Sequence, residues 1–204
     1  MNTKFGFATL AVVAYVHNSN AEISASYGWE DGGTVLSTYS DLLSENTSEY
    51  FNSGESSLSL TEESSGGSTP NVGVAVITGL EEGDTISASF WALDFTEGTN
   101  ASVRIWGHYT ESDDFSSYKG SGGGNNTYSG SVGGVWEELS HDWVFDGRSD
   151  AFQIVARFYD GGGNVGPVFI DDISVSVSNA NAQIIFPAAI PAPGALALLG
   201  LAGL

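Results

Sequence analysis

The sequence predicts an all-β protein folded as a two-sheet β-sandwich. Short segments alternate apolar and polar residues, as strands with one buried face do. Gly and Pro punctuate these segments, and no stretch repeats apolar residues at helical spacing. The region from 22 to 182 is long enough for one domain with its own core. Seven or more strands in that length favour two packed sheets.

The predicted strands are separated by residues that tolerate tight or left-handed backbone. In chain order, the strands cover residues 57–61, 72–77, 85–93, 102–109, 136–145, 152–159 and 168–177. The turn-forming residues lie at 81–84, 94–100, 146–149 and 160–163. Residues 120–134, rich in Gly, Ser and Asn and including Tyr128, are predicted to form a longer loop, either carrying ligand contacts or unstructured. Trp136 and Trp143 are predicted to lie in the core.

The N-terminal residues have the three zones of a secretory signal peptide. Lys4 precedes the apolar stretch 5–16, and small residues end at Ala21, where we expect cleavage. Residues 1–21 are therefore predicted to be the signal peptide, and a buried N-terminal strand is the alternative. The chain contains no Cys, which agrees with export. Without disulfides or thiolate chemistry, the stability of the fold must come from a hydrophobic core or from bound ions.

An uncharged apolar run, residues 194–204, follows Pro191 and Pro193 at the C-terminus. It resembles the C-terminal sorting signal of the PEP-CTERM family, with Pro-Ala-Pro in place of Pro-Glu-Pro. The resemblance implies processing by an exosortase and an anchor in the membrane. As a helix the run would reach roughly 16 Å, against a hydrocarbon core of about 30 Å. We therefore expect the tail, assigned to residues 183–204, to be truncated. The alternatives are a disordered tail or the last strand of the fold.

The chain is strongly acidic, with 25 Asp and Glu against 5 Lys and Arg and a formal net charge of −20. Nucleic acid is an unsuitable partner, because phosphate binding depends on clustered cations. The charge favours solubility and cationic or neutral ligands, or it reflects adaptation to a salty habitat.

Five motifs occur in the order found in jelly-roll carbohydrate-binding modules of the CenC-like type. They lie at residues 28–32, 54–61, 77–84 leading into 89–92, 136–139 and 169–175. The chain resembles this family over most of residues 24–178. The resemblance implies a jelly-roll β-sandwich, a structural calcium ion and a glycan groove on the concave face.

The resemblance also implies that Glu30, Asp171 and Asp172 hold the calcium ion. Calcium takes six to eight oxygen ligands, which carboxylates and backbone carbonyls of a Gly-rich turn supply. Alternation along 168–177 predicts that Phe169, Asp171 and Ile173 face the core. A core-facing carboxylate needs a partner, either a metal, an Arg or backbone N–H groups at a sheet end.

Alternation on three strands predicts a ligand face. On 102–109 and 152–159 the apolar residues share one side, and the opposite sides mix aromatic rings with hydrogen-bonding groups. A ring suits the C–H face of a sugar, and Arg, Gln or His suits its hydroxyls. The predicted ligand residues are Trp91, Arg104, Trp106, His108, Gln153, Arg157 and Tyr159. The alternative is that a loop covers the outward Trp and that the Arg side chains pair with surface carboxylates.

No catalytic constellation is recognisable in the sequence. Some pair among 25 acids will always meet the spacing of a glycosidase, so that criterion discriminates nothing. His17, His108 and His141 lack zinc-site partners, and no nucleophile motif or phosphate loop occurs. The sequence therefore predicts a non-enzyme.

Three functions compete. The first is an exported, surface-sorted protein that binds polysaccharide or an extracellular matrix glycan in a β-sandwich groove. The second is a structural surface or biofilm-matrix protein with a calcium-stabilised sandwich and no groove. The third is a degenerate accessory of a hydrolase. We expect exosortase-type sorting machinery and the membrane as further partners, and no nucleic acid.

Overall fold

Alternating sequence segments become twelve strands in the part of the chain that the structure describes. The computed structural model describes residues 22–40, 42–62, 69–95, 103–124, 134–158 and 167–188. The strands are β1 (Ile23–Tyr27), β2 (Ser37–Tyr39), β3 (Leu42–Thr47), β4 (Ser57–Glu62), β5 (Asn71–Thr78), β6 (Thr85–Asp94), β7 (Val103–Thr110), β8 (Gly120–Gly124), β9 (Glu137–Val144), β10 (Ala151–Phe158), β11 (Val168–Val177) and β12 (Gln183–Ile185).

The strands pair antiparallel into two six-stranded sheets. Sheet A has the order β3-β4-β11-β6-β9, with β1 paired to the C-terminal half of β11. Sheet B has the order β12-β5-β10-β7-β8, with β2 paired to the N-terminal half of β5. The predicted all-β, two-sheet jelly-roll β-sandwich is confirmed.

The core lies between the two sheets and is built mainly from aromatic and β-branched side chains. Trp29, Phe90, Phe145, Phe152 and Phe158 are among its fully buried members. Burying such large rings supplies much of the hydrophobic stabilisation, at roughly 25 cal/mol per Å² of apolar surface. The inward sides predicted for β7 and β10 belong to this core.

The core contains only one of the two predicted tryptophans. Trp143 is buried in the cluster, and its Nε1 donates a hydrogen bond of 2.9 Å to the Gly123 carbonyl oxygen. Trp136 is half-buried and precedes β9.

The predicted orientation of Phe169 and Asp171 is wrong, because β11 contains an irregularity. The pairing with β6 shifts by one residue between Asp171 and Ser174, and Asp172 adopts a left-handed backbone with φ of 50°. Such a shift reverses the parity of the side chains. Ile173, Val175 and Val177 face the core, as predicted, whereas before the shift the core residues are Val168 and Ile170. Phe169 packs instead against Tyr50 and Phe95, with ring centroids 4.9 and 6.4 Å apart.

Part of the predicted long loop is strand β8. Its sequence is Gly-Ser-Gly-Gly-Gly, and it pairs with β7. Glycine is required here by close packing. A Cβ on Gly124 would lie 2.2 Å from the Ile105 carbonyl oxygen, and one on Gly122 would lie 2.7 Å from the Phe152 ring. Strand propensity therefore does not predict β8. Glycine occurs in this strand because neighbouring atoms leave no room for a side chain.

The sandwich extends past the predicted boundary at residue 182. Strand β12 pairs with β5, and Ile184 and Phe186 pack against the core. Residues 183–185, which the prediction assigned to the tail, therefore belong to the sandwich as β12. The signal peptide 1–21, the tail from 189 onward and Tyr128 lie outside the described residues. A membrane-spanning helix is not found in the described part of the chain.

Candidate binding site

Three strands of sheet B form the floor of a pocket on the outer face of the sandwich. Gln153 lies opposite His108 across the β10–β7 pair, and Arg157 lies opposite Arg104. On the other side of β10, Arg157 lies opposite Asn71 of β5. Because side chains alternate between faces, these five polar residues share the face that points away from the core.

Two segments form the walls of this pocket, which has a volume of about 290 Å³. One is β2, which pairs with β5. The other is the turn after β7, where Thr110 Oγ1 lies within hydrogen-bond distance of the Ser117 carbonyl oxygen at 2.8 Å and the Asp114 carbonyl oxygen at 3.1 Å. The lining residues are Ser37, Thr38, Tyr39, Thr69, Asn71, His108, Phe115, Ser116, Tyr118, Gln153 and Arg157.

Aromatic rings stand at the edges of the pocket. Tyr39 on β2 and Tyr118 on the turn after β7 are each 61% exposed, and Phe115, on the same turn, is half-buried. An exposed tyrosine offers a flat apolar ring and a hydroxyl that remains in contact with water. The pocket is therefore flanked by rings and floored by hydrogen-bonding groups.

Gln153 is held in place at the centre of the floor. Its Nε2 donates a hydrogen bond of 2.8 Å to Ser37 Oγ and one of 3.2 Å to the Phe115 carbonyl oxygen, so it ties both walls to the floor. Gly73 makes room for it, since a Cβ there would lie 2.2 Å from Gln153 Nε2. The pocket is thus preorganised by this amide.

Two guanidinium groups pack against Trp106. The Arg157 Cζ lies 4.6 Å and the Arg104 Cζ 5.1 Å from the centre of the Trp106 ring, both within cation–π distance. Arg157 Nη2 also donates a hydrogen bond of 3.1 Å to Thr69 Oγ1. The Trp106 Nε1 donates to Ser121 Oγ at 2.8 Å. The indole therefore positions Arg157 at the pocket and is not itself among the lining residues.

His108 is a neutral hydrogen-bonding group at neutral pH. Burial, together with a smaller effect of the positive charge of Arg157, lowers the pKa of its imidazole to about 4. Its ring meets the Tyr118 ring edge-on at 5.0 Å. It thus supports a pocket aromatic without adding a charge.

The structure brings together most of the predicted ligand residues but not all. His108, Gln153 and Arg157 line the pocket, and Arg104 and Trp106 lie beside it on the same face. Trp91 points outward as predicted, but from sheet A, where it lies opposite Asp171 and Glu138, so it is not on the pocket face. Tyr159 lies outside the described residues.

The sequence reasoning missed Tyr39 and Tyr118. Each follows two hydroxyl residues, in Ser37-Thr38-Tyr39 and Ser116-Ser117-Tyr118. An aromatic residue in such a polar segment is a poor core candidate, which is the one signal that could have singled out these tyrosines.

The three predicted calcium ligands gather around the segment 52–56. Asp171 is fully buried: its Oδ2 accepts N–H bonds from Asn52 at 2.8 Å and Ser53 at 3.2 Å, and its Oδ1 accepts one from Asp172 at 2.8 Å. Asp172 accepts from the Asn52 amide at 2.8 Å and the Ser53 hydroxyl at 2.7 Å. Glu30 accepts N–H bonds from Glu55 at 3.1 Å and Ser56 at 3.2 Å. Burial raises the pKa of Asp171 to about 6. The three backbone N–H groups that donate to Asp171 act in the opposite direction and limit this rise.

These carboxylates are therefore arranged around hydrogen-bond donors and do not fit a calcium site as they stand. Across residues 22–40, 42–62, 69–95, 103–124, 134–158 and 167–188, no three His, Cys, Asp or Glu side chains are grouped to hold a metal ion. Backbone N–H groups, one of the alternatives for Asp171, satisfy its charge. Calcium binding stays a prediction from the sequence.

No protein-family model and no curated protein matches this chain. Solved structures do resemble it. The CBM22-1 xylan-binding domain from Paenibacillus barcinonensis Xyn10C matches with a TM-score of 0.52 at 12% identity, covering 76% of this chain and 94% of that domain. The N-terminal CBM22-1-CBM22-2 tandem domain of the same protein matches with a TM-score of 0.53 at 13% identity, covering 89% of this chain and 50% of the tandem. At these identities the likeness shows the fold alone, a β-sandwich of the kind found in these modules.

Proposed function

We propose that this chain is an exported, non-catalytic protein that binds polysaccharide in the pocket of sheet B. The observation that carries the proposal is the pocket itself, where Tyr39 and Tyr118 flank a floor of polar side chains held in fixed positions. Sugars combine an apolar C–H face with many hydroxyls. Flat rings beside amide, guanidinium and imidazole groups match both parts of such a ligand.

The size and openness of the site agree with a short stretch of a longer chain. A pocket of about 290 Å³ lies just below the usual range for small-molecule sites, roughly 300 to 1,000 Å³. Both flanking tyrosines are exposed, so a polymer has room to continue beyond the pocket. The similar solved structures include a xylan-binding domain, which makes xylan the first polysaccharide to test.

Export and surface sorting complete the proposal. The support is the sequence of residues 1–21, with the zones of a signal peptide, and the resemblance of residues 191–204 to a PEP-CTERM tail. A protein placed outside the cell meets polysaccharides and extracellular matrix glycans.

Affinity measurement on the pocket tyrosines tests the binding function. Tyr118→Ala is expected to weaken binding of soluble xylan by about tenfold in isothermal titration calorimetry, which corresponds to about 1.4 kcal/mol. Tyr50→Ala is the matched control, because Tyr50 is an exposed tyrosine that packs on Phe169 of sheet A. Binding that is absent from the unmodified protein over a panel of polysaccharides would favour the structural surface protein without a groove. Equal losses in the two variants would place the ligand elsewhere.

A further inference from the structure

The two amide side chains on the pocket floor have fixed orientations. Gln153 Nε2 donates one hydrogen bond to each wall, to Ser37 Oγ at 2.8 Å and to the Phe115 carbonyl oxygen at 3.2 Å. A carbonyl oxygen can only accept, so the nitrogen of this amide must lie on the side of Phe115. Asn71 is oriented in the same way, because its Nδ2 donates to the Thr69 carbonyl oxygen at 3.1 Å. The amide oxygens of both residues therefore point away from these partners.

These two oxygens are left as hydrogen-bond acceptors for a ligand. Gln153 is 4% and Asn71 7% exposed, so both side chains are more than nine-tenths buried. Within the described part of the chain, Gln153 Oε1 and Asn71 Oδ1 accept no hydrogen bond, and neither oxygen is shut off from solvent. Both residues line the pocket, so the pocket is where a ligand reaches their oxygens.

A third lining residue has also used its polar hydrogen. The Ser116 hydroxyl donates to Asp114 Oδ1 at 2.5 Å, which leaves the lone pairs of Ser116 Oγ for a ligand. The hydroxyls of Tyr39 and Tyr118, in contrast, can donate or accept. A ligand group that both donates and accepts satisfies such a lining, whereas a group that only accepts does not.

We propose that the pocket selects stretches of polysaccharide whose hydroxyls are free and rejects stretches whose hydroxyls are acetylated, with Gln153 as the specificity-determining residue. This inference rests on the proposed polysaccharide binding and names the chemical class of its ligand. A sugar hydroxyl donates to Gln153 Oε1 and still accepts from a tyrosine hydroxyl. An acetyl ester has no hydrogen to donate, so the amide oxygen loses its water without gaining a donor. A site built to hydrogen-bond a hydroxyl rejects ligands that lack it for this reason.

Two acetylated polymers test the proposal on the full chain. Soluble oligosaccharides of acetylated xylan and of acetylated mannan are each measured by isothermal titration calorimetry, before and after mild alkali removes the acetyl groups. We expect the backbone that binds to bind about tenfold more tightly once it is deacetylated. Equal affinity of the two forms, or tighter binding of the acetylated form, overturns the hydroxyl inference and leaves polysaccharide binding intact. Binding of none of the four ligands overturns the proposed function as well.

A matched pair of variants locates the effect. The glutamines of the chain are Gln153 in the pocket and Gln183, which is exposed on β12 and outside the lining. Gln153→Leu removes the amide oxygen with little change in volume and is expected to reduce the tenfold ratio of the two affinities to below about threefold. Gln183→Leu is expected to keep the ratio at about tenfold. A ratio that survives Gln153→Leu, with folding verified by circular dichroism, assigns the selection to the size of the acetyl group and overturns the role of Gln153.

A second variant displaces the amide without removing it. A Cβ on Gly73 would lie 2.2 Å from Gln153 Nε2 and 2.7 Å from Ser37 Oγ, both of which are side-chain atoms. Gly73→Ala is therefore expected to shift the Gln153 amide and to lower the same ratio. An unchanged ratio in the folded variant overturns the requirement for a fixed amide. If Gln153→Leu does not fold, Gly73→Ala and the comparison of acetylated with deacetylated ligands on the unmodified protein still decide the inference.

Discussion

At the scale of single residues, Asp171 combines complete burial with three backbone N–H donors. Burial penalises its charge, whereas the donors stabilise it, and the balance leaves its pKa raised to about 6. Its side chain joins β11 to the loop that precedes β4, 118 to 119 residues apart in sequence. This carboxylate therefore holds two distant segments together.

Replacement of this carboxylate by its amide is expected to destabilise the protein. Both carboxylate oxygens of Asp171 accept N–H bonds, so the NH₂ of Asp171→Asn must face a backbone donor. We expect a loss of about 1–3 kcal/mol in the free energy of unfolding, measured in urea at pH 7 with EGTA present. Asp113→Asn, at an exposed position, serves as the control. Equal stability of Asp171→Asn and the unmodified protein would contradict this role.

His108 makes stability depend on pH. The folded state holds its pKa at about 4, below the usual 6.5, so the unfolded chain binds the proton more tightly. Its contribution is complete above pH 6.5 and is lost as the pH falls toward 4. Relative to His108→Gln, the unmodified protein is expected to lose stability over that interval, by at most about 3 kcal/mol. Urea unfolding of both proteins at pH 7, 5.5 and 4.5 measures this, and parallel profiles would exclude the effect.

At the scale of elements, strand β12 is part of the sandwich, because it extends sheet B at the edge of β5. It pairs with β5 beside β2, and Phe186 after it stacks on Tyr27 with ring centroids 5.6 Å apart. Strand β5 therefore has neighbours along both edges, which protects its backbone groups from solvent.

Truncation at two positions tests this assignment. A chain that ends after Ala182 loses the partly buried Ile184 and Phe186 and is expected to be about 2–3 kcal/mol less stable than one that ends after Ala188. Thermal unfolding of the two chains measures the difference. Identical midpoints would show that β12 contributes nothing to stability and that the fold ends at residue 182.

At the scale of the whole molecule, the two outer faces differ in chemistry. The outer face of sheet A carries rows of small hydroxyl and acidic side chains, among them Ser87, Ser89, Ser140, Ser174, Ser176, Glu138 and Asp142. The pocket face of sheet B carries tyrosines, amides and two arginines. The two faces therefore offer different groups to a ligand, since exposed rings and amides occur on the pocket face and small hydroxyl groups on sheet A.

The calcium site predicted from the sequence would join the two ends of the domain, because Glu30 lies near its start and Asp171 and Asp172 lie near its end. If Glu30, Asp171 and Asp172 hold the ion, EGTA is expected to lower the midpoint of thermal unfolding, since a ligand present at 100 times its Kd adds about 2.7 kcal/mol. Asp172→Asn should then abolish the response to EGTA. An unchanged midpoint would discard these residues as ligands and leave the N–H and O–H donors described above as their partners.

Much of the fold follows from alternation along the chain. The seven predicted strands all form, with ends within about one residue of those observed, because turn-forming residues bound each apolar or alternating segment. Strands β1, β2, β3, β8 and β12 were missed. Three of them are short or glycine-rich, and for β8 and β12 it is their neighbours β7 and β5 that hold them in the sheet.

The sequence likewise predicted one part of the candidate site, the floor, and did not predict the walls. Parity along β7 and β10 placed His108, Gln153 and Arg157 on one face, and the structure shows that this face is a pocket floor. The pocket walls could not be predicted, because Tyr39 and Tyr118 lie far apart in sequence and line one pocket only in the folded sheet. The shift in β11 was equally invisible, because one extra residue in a strand leaves the local pattern almost unchanged.

The sequence by itself determined the all-β class, the two-faced strands and the acidic character of the molecule, because each depends on residue type and local spacing. Tertiary structure alone decided which outward faces come together, which rings remain exposed and how Asp171 is satisfied. Those outcomes depend on strand order and register, which arise from contacts between residues distant in the chain.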